Sequence, residues 1–176
     1  MAQSRVFFGA EETPMAINEA EKSHNYTALL FFILVAQAVG GVASIVTVPN
    51  VTSWYPGIVK PAFNPPNWLF APAWVTLFFL MAIAAWRVWR KRGLASTPLV
   101  LYAIQLVLNF GWTFIFFGAH LLGLALIEVL TLLAFVIATT AAFFRSDRLA
   151  GVLMLPYIAW VMFAATLNEA IWKLNR

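Results

Sequence analysis

The stretch KPAFNPPNWLFAPAWVTLFFLMAIAAW, residues 60–86, decides the fold. Its last twenty residues, 67–86, contain no Asp, Glu, Lys or Arg. A bilayer core about 30 Å thick is crossed by about 20 apolar residues in a helix, so this segment has the length and character of a membrane span. Working outward, five uncharged or nearly uncharged runs occur, at about 27–48, 66–89, 98–117, 121–144 and 149–172. The chain is 62% hydrophobic and 10% charged, whereas soluble domains carry roughly 25% charged residues. These features predict an all-α integral membrane protein, a bundle of five transmembrane helices. Residues 26–176 then make one domain with no room for a soluble catalytic module. Residues 1–25, with four glutamates beside Arg5 and Lys22, read as a mobile polar tail, with Met15 as an alternative start. They lack the basic-then-apolar order of a secretory signal.

The pI near 9.8 suggests nucleic acid at first sight, but the basic residues sit mostly at span ends, which makes them a topology signal. With alternating spans, one side carries Arg5, Lys22, Arg87, Arg90, Lys91, Arg92, Arg145 and Arg148, and the other Lys60, Lys173 and Arg176. The bias predicts a cytoplasmic N-terminus, a first long loop on the opposite face, and no nucleic-acid partner. The absence of cysteine excludes disulfides, thiolate metal sites and cysteine nucleophiles. Asn25-Tyr26-Thr27 and Asn50-Val51-Thr52 match glycosylation sequons, yet they fall on opposite faces close to span ends, as chance matches would.

Connections between spans are short except for 49–66. Six of the nine prolines, Pro49, Pro56, Pro61, Pro65, Pro66 and Pro72, fall between residues 49 and 72. Because proline fixes φ and lowers the entropy lost on ordering, this loop is expected to be a rigid lid. Asn64 is expected to cap the second helix, with Pro65 or Pro66 in its first turn. Pro72, about two turns in, and Pro156 in the fifth span are each expected to bend their helix. Small-residue ridges, Ala36/Gly40/Ser44 and Ala134/Ala138/Ala142, allow close helix approach; they fit packing within the chain better than a homodimer seam, which stays possible.

The tryptophans divide by depth. Trp54, Trp68, Trp86, Trp89 and Trp172 lie near span ends and read as an interfacial belt. Trp74, Trp112 and Trp160 lie deeper. At a helical spacing of three to four, Trp112 shares a face with Gln105, Asn109 and Phe116, Trp74 with Phe70 and Phe78, and Trp160 with Pro156, Ala164 and Asn168. At ~1.5 Å per residue, Trp74 and Asn109 lie roughly 10–14 Å below the loop boundary, with Trp160 nearer the middle. Two readings fit: a site for a flat, mostly apolar ligand oriented by a few amides, or a helix core in which Gln105 and Asn109 are interhelical glue. Glu128, the acidic residue well inside a span, reads as a structural hydrogen-bonding group in preference to a proton relay. His120 has no partner at metal-ligand spacing. No catalytic triad, Gly-rich phosphate loop or pair of convergent carboxylates is present, so hydrolase, kinase and nucleotide-binding classes find no support.

Three segments, WYPGIVKPAFNPPNWLFAPAW (54–74), QLVLNFGWTFIFFG (105–118) and LPYIAWVMFAATLN (155–168), resemble the TspO/MBR family of tryptophan-rich sensory proteins. The resemblance covers about residues 27–175. It implies a five-helix bundle whose first loop caps a pocket for porphyrins, with no intrinsic cofactor and with tetrapyrroles and the bilayer as partners. Carried over by motif, Tyr55, Pro61, Trp74, Asn109 and Trp160 would line the pocket, with Ala138 facing it from the fourth span. Lys60 and Trp112 join this ligand set, Lys60 as the one cation in the loop for porphyrin carboxylates. The resemblance also implies that Trp74 and Trp160 could act in light- and oxygen-dependent porphyrin breakdown, giving an enzyme-like alternative to a receptor or carrier. Phe63 and Phe78 replace a Trp and a Tyr common in the family, and Glu169 breaks the sterol-recognition pattern of the animal proteins.

Overall fold

The computed structural model describes the backbone of residues 14–176 and side chains from residue 25; Arg5, Met15, Lys22 and the expected tail fall outside the described side chains. Five long helices are present: α1 Pro14–Ser53, α2 Phe70–Arg92, α3 Thr97–Thr113, α4 Leu122–Ser146 and α5 Arg148–Leu174. Each contributes a segment long and apolar enough to cross a membrane. The protein is an all-α, multi-pass membrane bundle.

The helix ends follow from local sequence. The α2 helix closes on Arg90, Lys91 and Arg92 and then Gly93, cations suiting the negative end of the helix dipole and glycine accepting φ 76° without a Cβ penalty. Asp147 opens α5 by accepting from the Ala150 amide at 2.9 Å, an N-cap. The α3 helix runs on through a π-helical turn, Phe114–Gly118. Phe116 and Phe117 of that turn are both buried.

Two boundary expectations need correction. The α1 helix runs through Pro49 to Ser53, so the loop begins at Trp54. Thr52 and Ser53 donate to the Pro49 carbonyl and Asn50 to that of Val46, so these polar side chains fold back on the helix backbone. At the other end of the loop, Pro65 and Pro66 stay outside α2, which follows a 3-10 turn at Asn67–Leu69. Pro72 is therefore the third residue of α2, where a backbone N–H has no intrahelical acceptor in any case. It removes no helical bond and gives no reason for a bend. Pro156 does lie inside its helix, as expected.

The helices close a ring in the order α1, α2, α5, α4, α3, with α3 returning to α1. At its centre α2 contributes Met81, Ala82, Ala84, Ala85 and Val88, all fully buried. Alanines there let the backbones approach closely, which is how helices gain contact in lipid. The α1 ridge works the same way: Ala36 is buried, and a Cβ on Gly40 would come within 2.7 Å of the Phe78 ring. Ala134 and Ala138 of the α4 ridge face outward. At the basic end, Asp147 receives a bidentate pair from Arg87, both bonds 3.0 Å, and Lys91 at 2.6 Å. These charges tie α2 to the α4–α5 turn and hold the Asp147 carboxyl well below the usual carboxylate range, the Arg87 hydrogen bonds being the largest cause.

Candidate functional site

The aromatic wall of the site comes from α2 and α5. Trp74 and Trp160 meet edge to face, with ring centres 6.3 Å apart at 82°, the arrangement that aromatic quadrupoles favour. Phe70 adds an edge contact to Trp160 at 6.1 Å, and Phe163 packs on it at 5.7 Å. These residues recur at three- to four-residue spacing, so each helix presents them as one stripe. Outside this wall a groove of about 650 Å³ runs between α2 and α5, lined by Trp68, Pro72, Thr76, Pro156, Ala159 and Trp160, among others. Its size lies within the roughly 300–1,000 Å³ range of small-molecule sites.

Behind the wall lies a polar layer. Tyr157, fully buried, sits 6.3 Å from Trp74 and accepts a hydrogen bond from Asn109 Nδ2 at 3.0 Å. It thus joins Asn109 to the tryptophan pair and completes the convergence read from the sequence. That reading passed over Tyr157 itself, although a tyrosine in the middle of a span, three residues from Trp160, already demands a buried partner. Trp112 donates to Asn168 Oδ1 at 3.1 Å, and Asn168 donates in turn to the Leu122 carbonyl at 2.9 Å. The Trp112 ring stacks on Phe116 at 4.9 Å, linking the wall to a second cluster of Tyr55, Phe117, Leu167 and Ile171 under the loop.

The loop is closed by its own polar groups. Tyr55 is 3% exposed, and its hydroxyl donates to Asn64 Oδ1 at 2.6 Å; burial pushes its pKa up to about 12. Asn64 is used in this contact, and no side chain caps the turn that leads into α2. Lys60 folds back so that its ammonium donates to the carbonyls of Tyr55 and Ile58, both at 2.7 Å, and of Pro56 at 3.3 Å. An ammonium has three donors, so the loop backbone takes up the cation expected to meet ligand carboxylates. Pro61 is half-buried, and its carbonyl accepts from the Asn64 amide at 3.0 Å. Asn175 grips Val59 from the far end of the chain, accepting from its amide at 3.0 Å and donating to its carbonyl at 2.8 Å.

Several residues stand elsewhere than expected. Ala138 is exposed on the outer face of α4 and does not join the others, because the register of α4 turns Leu132, Val136 and Thr139 inward. Trp54, at the loop end of the bundle, stacks on His120 with ring centres 4.1 Å apart, and His120 Nε2 lies 3.0 Å from Asn50 Oδ1. Trp68 is 71% exposed. Glu128 makes no hydrogen bond: both carboxyl oxygens are buried without a partner among the described residues. The expected structural hydrogen bond is not formed. Gln105 is fully buried; its Nε2 lies 3.9 Å from Met81 Sδ, and its Oε1 has no partner among the described residues. Taken together, the wall can hold a flat apolar molecule and the layer behind it can fix side-chain orientation. Among the described residues, no group of three or more His, Asp or Glu side chains gathers to hold a metal ion.

Residues 32–173 match the model of the TspO/MBR family. The chain is similar to the human Translocator protein, 41% identical over 126 residues that cover 69% of this chain and 75% of the relative. It is similar also to the Tryptophan-rich protein TspO of Chlorobaculum tepidum, 42% identical over 143 residues, 78% of this chain and 89% of the relative. The Tryptophan-rich sensory protein of Cereibacter sphaeroides is 40% identical over 144 residues, 82% of this chain and 90% of the relative.

Proposed function

The chain belongs to the TspO/MBR family, and on that premise we propose that it is a membrane receptor or carrier that binds a porphyrin beside the Trp74–Trp160 wall. The observation that carries this reading is the perpendicular indole pair, backed by Tyr157 and Asn109 and opening on a groove of about 650 Å³. A tetrapyrrole is flat, wide and mostly apolar. It gains from stacking on indole faces and from leaving water along an apolar wall. The loop end of the bundle lies on the non-cytoplasmic side and the basic end on the cytoplasmic side, by the excess of Arg and Lys there. The test is a titration of tryptophan fluorescence with protoporphyrin in detergent; saturable quenching supports the reading, and quenching that rises linearly without saturation contradicts it.

A second reading uses the same wall. Trp160 borders the groove and touches Trp74, so an indole stands where it could give one electron to a photo-excited porphyrin. The indole becomes a radical cation and the porphyrin a radical anion, which passes its electron to molecular oxygen to give superoxide. The indole radical cation then takes one electron from the porphyrin ring, and the porphyrin radical cation so formed combines with the superoxide, so that the indole is restored and the net change is addition of O2 to the porphyrin. This makes the protein a light-dependent porphyrin oxidant in place of, or in addition to, a carrier.

A further inference from the structure

The groove and the loop differ in how they are closed. On the bundle's outer wall Pro72 and Thr76 of α2 and Pro156 and Ala159 of α5 are exposed, and in a membrane-spanning bundle that wall meets hydrocarbon. The groove they line offers almost nothing to water. The two prolines have no N–H, and the Thr76 hydroxyl turns back to the Pro72 carbonyl at 2.9 Å. On the aqueous side the loop is held at three points: Tyr55 on Asn64, Lys60 on three carbonyls, and Val59 on Asn175 through both its N–H and its C=O. Lifting the loop off the bundle means breaking the Val59–Asn175 pair, the other two contacts being internal to the loop, whereas reaching Trp160 from the bilayer means breaking none of them.

Trp160 is the partition. It lines the groove on one side and meets Trp74 on the other. Its immediate neighbour in the groove, Ala159, is small, and Pro156 one turn earlier removes the α5 bond to the Val152 carbonyl, which loosens the helix beneath it. A larger side chain at position 159 would therefore narrow the groove beside Trp160.

We infer that the site exchanges its ligand with the bilayer through the gap between α2 and α5, along the groove face of Trp160, while the loop stays latched. This rests on the porphyrin reading for the identity of the ligand, but the opening toward lipid is a separate physical claim. It assigns to Val59–Asn175 a holding role and to the Pro72/Thr76/Pro156/Ala159 face the role of an entrance for flat apolar molecules dissolved in the membrane.

Two measurements in lipid nanodiscs test it. Stopped-flow quenching by protoporphyrin should be slowed at least about tenfold in Ala159→Phe, which narrows the gap, and left unchanged in Asn175→Ala, which frees the loop. Thr76→Phe narrows the same gap from the facing helix and guards against a folding defect of the first variant. Faster association in Asn175→Ala, with normal rates in both phenylalanine variants, overturns the inference. The second measurement uses phosphatidylcholine brominated on its acyl chains and no porphyrin. The part of the quenching that Trp160→Phe removes should also be lost in Ala159→Phe, and a Trp160 contribution equal in both backgrounds contradicts an opening to lipid. Bromolipid quenching as expected, without any saturable porphyrin signal, leaves the lateral opening standing and removes the porphyrin reading.

Discussion

Trp160 meets Trp74 edge to face at 6.3 Å, and that contact joins an outer groove open to lipid to an inner layer of amide and phenol. If the pair donates electrons to an excited porphyrin, replacing both indoles by phenylalanine keeps the shape and removes the donors. Trp74→Phe/Trp160→Phe should bind protoporphyrin and bleach it much more slowly under illumination in air. Bleaching at the wild-type rate, measured by absorbance of the bound pigment, removes the oxidative reading and leaves the carrier reading in place.

Tyr157 is the hinge of the inner layer. Tyr157→Phe leaves Asn109 Nδ2 buried without its acceptor, at a cost of about 1–3 kcal/mol. Thermal unfolding in detergent should show the loss, and Tyr157→Phe/Asn109→Leu should recover much of it, because both polar partners are then gone. An unchanged melting temperature in the single variant would mean that this hydrogen bond carries no weight.

Asp147 makes stability depend on acid pH. Its folded pKa lies below the ordinary value of about 3.9, so its contribution is fully present above that value and is lost as pH falls through the depressed folded value. Neutral-pH stability should therefore persist down to about pH 4 and decline below it. Asp147→Asn should cost about 2–4 kcal/mol at neutral pH, somewhat under the figure for a fully buried pair because Lys91 is half-exposed. Acid titration of Asp147→Asn should show a weaker decline below pH 4 than wild type; an identical decline assigns the acid sensitivity elsewhere.

Glu128 predicts a gain. A buried carboxyl with no partner among the described residues is a standing cost in a membrane span, and Glu128→Leu fills similar space without it. The variant should be more stable by about 1–3 kcal/mol, read as a raised unfolding temperature in detergent. A lowered temperature would show that the carboxyl has a partner that matters.

Much of this was legible in the residues, and for identifiable reasons. Hydrocarbon thickness fixes span length, so five apolar runs announced five helices, and helical periodicity aligned Phe70, Trp74 and Phe78 without any tertiary information. The depth argument brought Trp74, Asn109 and Trp160 together because antiparallel helices in a bilayer share a common ruler. What failed depended on rotation or on long-range contact. Ala138 lies on the outer face of α4, and no single-helix pattern says which side of an apolar helix meets lipid. The role of Pro72 turned on where α2 starts, which the Asn67–Leu69 turn decided. The Lys60 clamp depends on how the loop carbonyls converge, and the Asn175 latch joins residues 116 apart in sequence.

The most direct test of the whole account is the protoporphyrin titration of wild type beside Trp160→Ala and Trp74→Ala in detergent, in the dark. Wild type should quench to saturation, and each variant should bind about tenfold more weakly or worse, equivalent to roughly 1.4 kcal/mol of lost aromatic contact. Equal affinity in all three proteins would contradict the claim that the tryptophan wall is the binding site.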